Sequence, residues 1–137
     1  MKLSKNFTIE EMIYSKTAEI KGIDNVPLFP EKDNLKKLCA NVLQPIRDAI
    51  DMPIIVTSAY RCDALNRAVG GSSNSQHIKG EAADIVCQDM QKLWDVCLDL
   101  IKNDTIDVGQ LINEKNLKWI HISLPRKNKI NNQILYL

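Results

Sequence analysis

The sequence predicts an α+β fold in which N-terminal helices pack on a small, mainly antiparallel sheet. Three observations predict it. Apolar residues recur at helical spacing in the stretch that ends at Ile50. Short β-rich runs come only afterwards, interleaved with short helical ones. The last two of these runs, "DVGQLIN" and "KWIHIS", are separated by a short polar turn, as in a hairpin.

The elements follow in order. "NFTIEEM" opens a helix, with Thr8 as N-cap and Glu11 at N3 in the reciprocal pattern that satisfies orphan amides. A polar loop containing Gly22 comes next. In "LFPEKDNLKKLCANVLQPIRDAID", Pro30 suits a first helical turn, and Leu35, Leu38, Val42, Leu43, Ile46 and Ile50 share one face. Pro45 removes one backbone donor, so a single bent helix of about 18–20 residues is expected. "PIIVTSAY", from Pro53 to Tyr60, reads as a strand, and "RCDALNRAVGG" as a short helix that stops at Gly70-Gly71. "SSNS" is a loop, "EAADIVC" a second strand, and "DMQKLWDVCLDLIKN" a helix with Leu93, Trp94, Cys97 and Ile101 inward. No repeat or linker interrupts the pattern, so residues 1–137 are expected to form one domain.

Composition removes several function classes. The chain of 137 residues is 45% hydrophobic, enough for a core, but no apolar run approaches the roughly 18 residues of a membrane span. The N-terminus lacks the apolar segment of a Sec signal, so synthesis in the cytoplasm and export by another route are expected. A formal charge of +1 argues against a nucleic-acid binder. Cys39, Cys62, Cys87 and Cys97 show no C-x-x-C pair and are read as reduced thiols. Past Glu114 no acid remains, whereas Lys115, Lys118, Arg126, Lys127 and Lys129 follow. This basic tail reads either as a solvated face or as a surface for an anionic polymer.

The chemistry concentrates in "SQHIKGEAADI" and "WIHIS", which hold the only two histidines, His77 and His121. Alternation in "WIHIS" puts Ile120 and Ile122 toward the core and His121 on the opposite face with Trp119 and Ser123. The same rule groups Asp84 with Ala82 and Val86, a costly place for a carboxylate unless a metal ion or an arginine matches its charge. Gly80, between His77 and Asp84, permits a sharp reversal that brings both residues together. Two imidazoles and one carboxylate form the ligand set of a catalytic zinc site, with a fourth position left for water. Two structural histidines and an aspartate paired with arginine fit the same pattern. Glu114, at the mouth of the hairpin, is the candidate general base, or else an ordinary turn glutamate. Arg61, at the end of a strand, is placed to hold a substrate carboxylate or a developing oxyanion, or to pair with Asp63 or Asp84.

"SAYRCDALNRAVGGSSNSQHIKGEAADI" closely resembles the metal-binding segment of the zinc D-Ala-D-Ala carboxypeptidase and L-alanyl-D-glutamate peptidase family, which includes phage endolysins and shares its fold with the hedgehog signalling domain. The matching positions are Ser75, His77, Gly80, Ala82, Asp84 and the late His121. The resemblance implies one Zn2+ per chain on His77, Asp84 and His121, and a carboxylate base shortly before the second histidine. Several relatives carry that base three residues earlier, where this chain has Lys118; others carry a glutamate about six residues earlier, and Glu114 stands seven before His121. Arg61 and Ser75 match positions associated with substrate or oxyanion contacts. The implied activity is hydrolysis of a peptide bond in a peptidoglycan stem peptide by a monomer that reaches the wall after phage-type release or as a virion component. The alternatives are a zinc-bearing binding module of the same fold and a cysteine hydrolase using Cys62 or Cys87.

Overall fold

The capping box at Thr8 forms as its residue types require. In the computed structural model, which describes residues 1–137, Thr8 Oγ1 accepts from the Glu11 amide at 3.2 Å and Glu11 Oε1 accepts from the Thr8 amide at 3.0 Å. This cap starts α1 (Ile9–Ile13), directly after a small hairpin of β1 (Lys2–Ser4) and β2 (Phe7–Thr8). The stretch expected to be a polar loop instead holds α2 (Lys16–Lys21). Ser15 Oγ accepts from the Ala18 amide at 3.1 Å at its start, and Gly22 closes it in the left-handed conformation. Only Ala18 is buried there, so the helix carries too short an apolar stripe to show as a periodicity.

The long helix bends by a different device from a simple proline kink. α3 (Phe29–Leu38) runs into a π-helical turn (Cys39–Leu43) and then α4 (Gln44–Ile50), without a break in between. The Gln44 amide donates to the Cys39 carbonyl, five residues back, and this wide turn absorbs the donor that Pro45 lacks. Leu35, Leu38, Leu43, Ile46 and Ile50 are all essentially inaccessible. Each contributes about 1.5–3 kcal/mol through burial.

A five-stranded sheet lies behind them in the order β3-β4-β6-β5-β7. β3 (Ile54–Ser58), β4 (Ala82–Cys87), β6 (Trp119–Ser123) and β5 (Gln110–Glu114) pair antiparallel; β7 (Gln133–Tyr136) joins β5 in parallel at the edge. α5 (Asp63–Ala68) follows β3, and α6 (Met90–Lys102) buries Leu93, Trp94 and Cys97 against the same core. Ala83, Ile85, Leu111, Ile120 and Ile122 face the helices. Strand alternation therefore sends Asp84, Ile112, Glu114 and His121 to the opposite face. β7 adds a parallel edge that the polar C-terminal sequence conceals.

Gly80 is the point where the turn carrying His77 meets α3. Its φ is +73°, and a Cβ there would stand 2.5 Å from the Glu31 carbonyl oxygen. Gly80→Ala therefore combines left-handed strain with a backbone clash and is expected to cost about 2–4 kcal/mol. Denaturant unfolding reads this directly, and an unchanged midpoint would show that the turn and α3 separate freely.

Candidate metal centre

His77 sits on a tight turn fastened on three sides. Asn34 of α3 donates to the Lys79 carbonyl at 2.9 Å, Gln76 Nε2 donates to the Leu124 carbonyl at 2.9 Å, and the Arg61 amide donates to the His77 carbonyl at 3.1 Å. Ser75 Oγ accepts from the His77 amide at 3.1 Å, which holds the ring's backbone in place. The buried imidazole then places Nδ1 2.6 Å from the Ala59 carbonyl. A carbonyl only accepts, so Nδ1 carries the proton and the Nε2 lone pair is left free to bind an ion.

That lone pair meets two partners from the sheet. Asp84 on β4 pairs directly opposite His121 on β6. Asp84 Oδ1 lies 3.4 Å from His77 Nε2 and 3.1 Å from His121 Nδ1, and the three ligand atoms fall within 4.8 Å of one another. A tetrahedral zinc with bonds of about 2.0–2.1 Å has ligand atoms about 3.3 Å apart. The donor set and the two distances from Asp84 thus fit a zinc ion. Burial raises the Asp84 carboxyl's pKa, but His121 and His77, when doubly protonated, outweigh it through hydrogen bonds and positive charge and hold Asp84 well below the usual carboxylate range; with both imidazoles neutral, a bound cation would play that part. Asp84 is thus an anion ready to meet a cation.

Glu114 stands one rung further along. It ends β5 opposite Trp119, while Ile112, two residues earlier, lies opposite His121. Glu114, Trp119, Asp84 and His121 line one cleft of about 1110 Å3. The connection Lys115–Lys118 explains the spacing of seven: Lys115, Asn116 and Leu117 all have positive φ, and Asn113 Oδ1 accepts from the Leu117 amide at 2.7 Å. This left-handed turn lengthens the hairpin yet returns the chain in register. Lys118 is exposed in the turn and lies outside the cleft lining.

Arg61 lies just past the end of β3, which stops at Ser58 and not at Tyr60. Buried Asn25 clamps the chain on both sides of it, donating to the Tyr60 carbonyl at 3.0 Å and accepting from the Cys62 amide at 2.8 Å. The guanidinium lines the cleft, forms no ion pair with Asp63 or Asp84, and has a buried Nε without an acceptor. Burial pulls its pKa down, and the Asp84 carboxylate partly restores it.

A family model described as Peptidase M15 matches residues 5–123, which include Arg61, Ser75, His77, Asp84, Glu114 and His121. The chain belongs to the peptidase M15 family. Among curated proteins, none matches the chain closely enough to count as a relative. Membership makes it a metallopeptidase, and the His-Asp-His group is where an M15 enzyme of this sequence can hold its ion.

In this M15 peptidase no cysteine lines the cleft and all four are free thiols. Burial pushes the Cys39 and Cys97 thiols up to about 12 each and raises that of Cys87, so a thiolate nucleophile has no support. The cleft also takes in Gln76, Glu81 and Gln110, which the sequence pattern does not single out, and Arg126, Lys127 and Lys129 of the basic tail. Alternation on β5 assigns Gln110 to the face of Glu114, and the acid-free tail marks the three cations, but no pattern places that tail beside His121.

Proposed function

We propose that this M15 enzyme is a zinc-dependent peptidase that hydrolyses a peptide bond in bacterial peptidoglycan stem peptides. The observation that carries the reading is the convergence of His77 Nε2, Asp84 Oδ1 and His121 Nδ1 in a cleft that also holds Glu114 on the neighbouring rung. His77, Asp84 and His121 hold the zinc. The bound ion supplies Lewis acidity, which makes a water nucleophilic near neutral pH and polarises the scissile carbonyl. Glu114 takes the proton of the attacking water and passes it to the leaving amine. Arg61 meets developing negative charge or a substrate carboxylate with a guanidinium that no protein acid occupies. Ser75 keeps the His77 turn closed through its bond to the His77 amide and presents its edge to the substrate.

The test is mass spectrometry of purified peptidoglycan incubated with zinc-loaded protein. New termini identify the bond, whether D-Ala-D-Ala, L-Ala-D-Glu or a cross-link. Walls of several chemotypes left intact by protein with zinc bound would instead support a binding module. Arg61→Ala is expected to raise KM by about 10–100-fold with zinc content unchanged. Unaltered kinetics would make Arg61 a structural residue.

A further inference from the structure

The cleft carries more cations than acids, and at its Gly109 end, away from Glu114, the fold sets Arg126 rigidly, with Glu81 the acid nearest along the register through the bond from the Leu124 amide to its carbonyl. Arg61, Lys79, Arg126, Lys127 and Lys129 line the cleft against three carboxylates, Glu81, Asp84 and Glu114. Asp84 is engaged by the two histidines. None of the five cations forms an ion pair within the protein.

Arg126 is the fixed point of this end. Its amide donates to Asn131 Oδ1 at 2.8 Å, and Asn131 Nδ2 donates back to its carbonyl at 2.9 Å. Its Nη2 donates to the Ile130 carbonyl at 2.6 Å, and its Nε is buried without an acceptor. The guanidinium packs over Gly109, where a Cβ would come 3.4 Å from Nε. Asn132 ties the far side of the loop to Val108, donating from its amide at 2.7 Å and accepting on Oδ1 at 2.9 Å. Five hydrogen bonds thus close a loop that holds Lys127 and Lys129 exposed at the cleft edge. The same bonds lead the chain into the β5–β7 pairing, and they also hold the cationic groups preorganised, so that little freedom would be lost when a ligand arrives.

The register sets the spacing. Gly109 precedes Ile112, the partner of His121, by three residues, which is about 10 Å of strand. We propose that Arg126, flanked by Lys127 and Lys129, is a second carboxylate-recognition end of the cleft. The favoured stem peptide accordingly carries a free carboxylate about two to three residues from the scissile bond, on the side away from Glu114. The proposal rests on the peptidase reading for the identity of the substrate, but not for the binding of its carboxylate.

Paired stem peptides, free acid or carboxamide at that position, test it by titration calorimetry on zinc-loaded protein in a Glu114→Gln background. The free acid is expected to bind about tenfold more tightly. Adding Arg126→Gln should erase most of that preference while leaving the amide's affinity and the zinc content alone; Arg126→Lys should keep part of it. Lys127→Gln with Lys129→Gln, both on exposed positions, should flatten the salt dependence of binding without touching the fold. An undiminished preference in Arg126→Gln, or salt dependence unaltered in the double variant, overturns the proposal. Arg126-dependent binding without wall cleavage by the unmodified protein would sink the peptidase reading alone. Cleavage with no acid preference would sink this one alone.

Discussion

His121→Ala is expected to emerge from dialysis with almost no zinc, where the unmodified chain retains about one ion. Removing one of three protein ligands should weaken affinity by more than about 100-fold, the upper end of what loss of a supporting partner alone costs. The fold should survive. Ile120 and Ile122, on either side, make the core contacts, whereas His121 faces the cleft. Thermal unfolding separates the two effects. Zinc at about 100 times its dissociation constant adds about 2.7 kcal/mol to the unmodified protein, so its Tm should climb with added metal. The Tm of His121→Ala should stay flat. Elemental analysis that still finds one zinc per chain would remove His121 from the ligand set and take the peptidase reading with it.

Period-two alternation made the facing of Asp84 and His121 legible, while the choice of His77 as their partner came from the resemblance to the zinc peptidases, since His77 lies in a turn. Two isoleucines flanking His121 leave its side chain only one face, and Asp84 between Ala83 and Ile85 has the same fate on the paired strand. Gly80 was legible as a reversal, but its close approach to the Glu31 carbonyl depends on a helix some fifty residues earlier in the chain and has no local signature. The same limit hid β7. Its pairing with β5 is parallel and follows the long loop closed by Asn131 and Asn132, so no hairpin turn announces it. The π-turn ahead of Pro45 was half legible. A proline demands that a donor be missing, but the sequence does not say whether the helix kinks or widens; here it widens, and Leu43 before Pro45 and Ile46 after it both stay buried. Arg126 was legible only as part of a basic tail that could meet an anionic polymer; that it lines the cleft of His121 follows from where β7 and Gly109 carry its loop, and both are tertiary facts.

Glu114→Gln should keep its zinc and lose turnover by about 100- to 10,000-fold. The amide fills the volume of the carboxyl but accepts no proton, and the Glu114 side chain forms no ion pair; its part in the fold is the backbone bond from the Lys118 amide, which the substitution keeps. A loss of only a few-fold would mean that another group is the base. The sharper form of the experiment adds a carboxylate three residues before His121, as in Glu114→Gln with Lys118→Glu. Sequence spacing alone would let that glutamate replace the missing one. The geometry does not: residue 118 belongs to the turn whose preceding three residues have positive φ, is exposed, and lies outside the cleft. The double variant is therefore expected to remain as inactive as Glu114→Gln alone. Recovered cleavage would show that the turn rearranges to bring position 118 to the metal. In that case the extra hairpin residue would not be what fixes the base at Glu114.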